Sequence, residues 1–126
     1  MNIIQLRNEI PAIKAEIVKR FNDQCYVCSF NCTPILAVHH IHHLSLGGNN
    51  SQDNLVLLCP NCHAIVHKMI KEINLHDEID IFNMSSDLRI ISNWITDNLG
   101  QEAEGKLISI ARQERMIQNA RNETNF

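Results

Sequence analysis

His39, His40, His63 and His67, with Asn54 between the two pairs, lie inside a frame of cysteines spaced Cys25-x2-Cys28 and Cys59-x2-Cys62. Two such cysteine pairs separated by a loop have the spacing of a tetrahedral zinc site, in which each pair forms a knuckle whose thiolates converge on one ion. The histidines offer a different chemistry. A neutral imidazole can take a proton or hold a divalent cation, and hydrolysis of a phosphodiester needs both. The cysteines could instead form disulfides or stay as buried thiols, but no charged-then-apolar leader opens the sequence, and a reducing cytosol keeps thiols unpaired. Structural zinc on Cys25, Cys28, Cys59 and Cys62 is therefore the expectation. Cys32, out of register with both pairs, reads as a partly buried bystander.

The elements that must position these residues can be read coarsely. A leading helix is predicted from about Pro11 to Phe21, with Pro11 at its first position and Ile13, Ile17, Val18 and Phe21 at helical spacing. Pro34 to Ile41 reads as a strand. Leu46 to Ser51 is a polar loop whose glycines can take positive φ. Asn54 opens the apolar run Leu55-Val56-Leu57-Leu58, and Cys59-Pro60-Asn61-Cys62 turns it into a helix from about Pro60 to Glu72. On that helix His63 and His67 are four apart and share a face. Ser85 or Ser86 caps a helix from about Asp87 to Asn98, closed by Gly100, and a last helix runs from about Gln101 to Arg121 with a fraying tail after it.

Composition bounds what surrounds the motif. The chain has 126 residues, 44% of them hydrophobic but only 5% aromatic, so the core it can bury alone is modest and a zinc staple would help it. No stretch is apolar for long enough to span a bilayer, and a cytoplasmic, non-membrane protein is expected. The net charge of -3 is unevenly placed: residues 1–23 and 24–71 carry +1 each, and residues 72–126 carry -5. The motif region holds a single carboxylate, Asp53, so a polyanion would not be repelled there, least of all beside a divalent cation.

Ala37-Val38-His39-His40-Ile41, then Gly47-Gly48, then Asn54 through His63, then His67, resemble the HNH nuclease motif in the subtype with a cysteine zinc site. The resemblance covers about residues 7 to 70, Glu9-Ile10-Pro11 included. It implies an α+β fold with a ββα-metal core stapled by the four cysteines, in a nuclease domain at 1–76, followed by an acidic helical extension at 77–126. It implies a metal-dependent endonuclease acting on DNA, with RNA left open, and leaving 5′-phosphate and 3′-hydroxyl ends. His40 matches the family's general base, Asn54 the asparagine that fixes His40 by a hydrogen bond across the hairpin, and His63 a ligand of the catalytic cation.

His39 stands where the commoner form of the motif has aspartate, and resembles the His-His subset. With His63 and His67 it would complete a three-histidine ligand set, which favours Zn2+, Ni2+ or Mn2+ alongside Mg2+. On a regular strand His39 points away from His40, so its ligand role was expected to need local distortion. His67 could equally be a solvated helix residue. His42 and His43 either flank the groove or have no role, and His76 has none. A non-catalytic zinc ribbon that binds nucleic acid or protein is the competing reading, but it has no use for His40 beside a metal ligand. The segment from about 77 to 121, with Leu88, Ile91, Trp94, Ile95, Leu107, Ile108 and Ile110, is expected to dock a partner or dimerise, packing against the nuclease core being the alternative.

Overall fold

The computed structural model describes residues 2–72 and 85–124, with side chains to Ala120. Its elements are α1 (Ile3–Arg20), β1 (Ala37–His40), β2 (Leu55–Leu58), α2 (Pro60–Glu72), α3 (Ser86–Asn98) and α4 (Gln101–Thr124), with short 3-10 turns at Thr33–Ile35, Leu44–Leu46 and Gln52–Asn54. The described residues form two compact units, Met1–Asn61 and Cys62–Phe126, the division falling in the first turn of α2. The boundary expected near residue 76 lies outside the described residues, as does His76.

The first unit is built on α1 and a β1–β2 hairpin. The leading helix starts at Ile3, well before Pro11, because Asn2 and Gln5 close a capping box: the Gln5 amide donates to Asn2 Oδ1 and the Asn2 amide to Gln5 Oε1, each at 2.9 Å. Pro11 lies inside the helix, where it removes one backbone donor, and the helix buries Ile17 and Val18. Asn22 and Asp23 then take positive φ, a conformation these two residue types tolerate, and turn the chain into the first knuckle.

The strand predicted from Pro34 is shorter. Pro34 lies in the Thr33–Ile35 turn, and β1 begins at Ala37. β1 pairs antiparallel with β2 in the register His39 to Val56 and His40 to Leu55. Of these two histidines His39 is buried and His40 half-buried. All four residues of β2 are buried, and Leu36, Leu55, Leu57 and Leu58 make the core of this unit with Ile17.

The second unit is helical. α2 buries Cys62, Val66, Met69 and Ile70 and holds the predicted bounds. Ser85 caps α3, its Oγ accepting from the Leu88 amide at 3.1 Å and donating to Glu72 Oε1 at 2.7 Å. Gly100, at φ +94, ends α3. α4 packs on α3 and continues past Arg121 to Thr124, farther than the sequence pattern suggested. Leu88, Ile95, Leu107 and Ile110 are buried, whereas Trp94 and Ile90 are exposed. Among the described residues no helix is long and apolar enough to cross a membrane.

Candidate functional site

Two groups of metal-ligating side chains emerge from this scaffold. The thiol sulfurs of Cys25, Cys28, Cys59 and Cys62 all lie within 4.8 Å of one another. Local backbone bonds shape the first knuckle: the Cys25 amide donates to the Phe30 carbonyl at 2.8 Å, the Ser29 amide to the Cys25 carbonyl at 3.0 Å, and the Tyr26 amide to the Leu57 carbonyl at 2.8 Å. Cys28 Sγ and Cys59 Sγ are 3.6 Å apart, close to the edge of about 3.8 Å for a tetrahedron of sulfurs bound to zinc at about 2.3 Å. No disulfide joins them. Burial, with neighbouring Cys25 adding to it, pushes the Cys28 thiol up to about 11. A bound zinc would reverse that shift at Cys28, since a coordinating thiol is deprotonated outright. The four cysteines are thus placed to bind a metal such as zinc. Cys32 is exposed rather than partly buried.

The second group is His39, His63 and His67, whose ring nitrogens also lie within 4.8 Å of one another. The helical repeat of α2 brings His63 Nε2 and His67 Nε2 to 3.0 Å. Nitrogens bound at about 2.1 Å to one ion and at right angles would be about 3.0 Å apart, so this donor set fits a divalent cation. His39 joins this group from β1. Burial holds its imidazole down at about 4, so the ring is a neutral donor through the physiological range. His43 packs edge-on against it, ring centroids 5.9 Å apart.

The residues between the strands behave differently from the expectation. Asn54 does not meet His40. Its Oδ1 accepts from the His42 amide at 2.7 Å, and its Nδ2 donates to the carbonyls of His42 at 3.0 Å and Asn49 at 2.7 Å, so it clamps the two ends of the 42–49 loop. The ring of His42 braces the same loop by donating from Nε2 to the Leu46 carbonyl at 2.9 Å. Gly48 is required at its position: an added Cβ would collide with the His42 carbonyl and stand 2.8 Å from that of His43. It is Asn50 that touches the His40 ring, Asn50 Oδ1 lying 2.8 Å from Nε2. Sequence reasoning passed over Asn50, which lies in a polar loop with no periodicity to mark it.

A two-stranded hairpin followed by a helix, with a cysteine frame and inward histidines, is the ββα-metal core. Residues 25–69 match the HNH endonuclease family. A type IV methyl-directed restriction enzyme of Escherichia coli K12, EcoKMcrA, is 40% identical over 72 residues, which are 50% of this chain and 26% of the relative. No solved structure matches the chain significantly.

Proposed function

We propose that this chain is a metal-dependent HNH endonuclease that hydrolyses phosphodiester bonds in DNA and leaves 5′-phosphate and 3′-hydroxyl ends. The observation that carries the reading is the convergence of His39, His63 and His67 beside His40, the next residue on β1. A divalent cation held by these three rings would supply Lewis-acid stabilisation of the phosphate and of the leaving 3′ oxygen. The chain's own residues do the rest. His40, half-buried and next to His39 on β1, takes a proton from the attacking water through an unprotonated ring nitrogen. Asn54 keeps the loop that follows β1 in one conformation, so that His40 is carried on a fixed backbone. The relative's being a methyl-directed restriction enzyme supports DNA as the polymer.

Incubation of the protein with supercoiled plasmid and Mg2+, Mn2+, Ni2+ or Zn2+ tests the proposal, with His40→Ala as control. Nicked or linear products whose ends ligate without further treatment are expected from the wild type. Intact plasmid under every ion, or equal cleavage by His40→Ala, would refute it.

A further inference from the structure

We infer that Asn50 is a positioning residue for His40, holding its ring with the hydrogen on Nε2 and leaving Nδ1 as the atom that accepts the proton, and that Glu9 fixes Asn50 in turn. The inference rests on the base role of His40 proposed above. It is carried by a chain of hydrogen bonds within the first unit. Asn50 Nδ2 donates to the Leu6 carbonyl at 2.9 Å and to Glu9 Oε2 at 3.1 Å, both on α1. Asn50 Oδ1 lies 2.8 Å from His40 Nε2.

The amide's orientation follows from its partners. A carbonyl oxygen and a carboxylate oxygen only accept, so the Asn50 atom facing both must be the NH2 group; turning the amide over would set oxygen against oxygen twice. Oδ1 then faces His40, and because an amide oxygen also only accepts, His40 Nε2 must carry the hydrogen. Nδ1 is left with its lone pair. Asn54, which the motif would credit with this task, spends both ends of its amide on backbone groups of the 42–49 loop. The labour is divided: Asn54 shapes the loop, and Asn50 sets the ring. Glu9 lies 41 residues before Asn50, and through this contact α1 helps to build the site.

The test pairs a spectroscopic signature with kinetics. In protein labelled with 15N in the histidine rings, at about pH 8 where histidine is ordinarily neutral, His40 should show a protonated Nε2 and an unprotonated Nδ1. Asn50→Ala should erase that pattern and lower kcat about 10- to 100-fold while KM moves by no more than about twofold, the mark of a misaligned group and not of lost substrate binding. Asn50→Asp sets a carboxylate against both Glu9 and the Leu6 carbonyl and should be as poor; Glu9→Ala, which leaves the Leu6 carbonyl holding Asn50, should lower kcat less than Asn50→Ala does. A reversed nitrogen pattern in the wild type would overturn the inference. So would an Asn50→Ala protein with wild-type kcat and ring signals, or a Glu9→Ala protein with both unchanged. The ring signals need no substrate, so they decide on Asn50 even if no plasmid is cut, and the two failures stay distinguishable.

Discussion

The cysteine group and the histidine group both draw on α2, yet they differ in how they meet solvent. Cys25, Cys59 and Cys62 are buried and Cys28 is half-buried. The histidines are graded instead, from His39 at 3% exposure through half-buried His63 to exposed His67. A structural metal site is closed by its protein ligands, whereas a catalytic one keeps a position open for water or substrate. Burial is consistent with the proposed division into a staple and a working site. The difference also separates the consequences of damage: loss at the first should undo the fold, and loss at the second should undo only the chemistry.

The largest effect expected from this division is at Cys59. Cys59→Ser opens the closed site, and structural zinc contributes about 10–16 kcal/mol in small domains, as much as a domain's whole stability. Loss of the folded circular dichroism signal is expected, whereas Cys32→Ser should leave it intact. Next comes His40→Ala, with cleavage falling roughly 10²- to 10⁴-fold while zinc content and melting stay unchanged. An unfolded His40→Ala protein would break the comparison, because it would make the working side structural.

His39 gives a smaller effect with a definite sign. In protein freed of the exchangeable ion, its folded pKa of about 4 lies below the ordinary 6.5. The unfolded chain then takes up the proton first, so the folded state is at full stability above about pH 6.5 and loses on the order of 3 kcal/mol as the pH falls to about 4. His39→Phe should flatten that slope in urea melts taken across the window. Smallest is Gly48→Ala, expected to lower stability by about 1–3 kcal/mol through the crowded His42 and His43 carbonyls and to lower cleavage with it.

The parts legible in the sequence are those whose geometry is set over a few residues. Two C-x2-C knuckles and a histidine pair four apart on a helix have their spacing dictated by the turn and the helical repeat, so both groups could be named before any coordinates. The bounds of α2 and the cap at Ser85 follow from the same short-range chemistry. What escaped depends on distant pairings. Nothing local to Asn50 announces Leu6 and Glu9 as its partners, and the motif's spacing does not say that Asn54 would turn its amide to the backbone of its own loop. The start of α1 differs for another reason: Pro11 is a good first-turn residue and reads as the start, whereas the helix begins at Ile3 on the capping box of Asn2 and Gln5.

The division into staple and working site is tested most directly by washing the protein with a mild chelator and measuring, on the same sample, bound zinc, circular dichroism and plasmid cleavage. About one zinc per chain should remain with the fold intact while cleavage is lost, and added Mn2+ should restore cleavage. Cleavage undiminished after the wash, or fold and cleavage lost together at every chelator concentration, would contradict it.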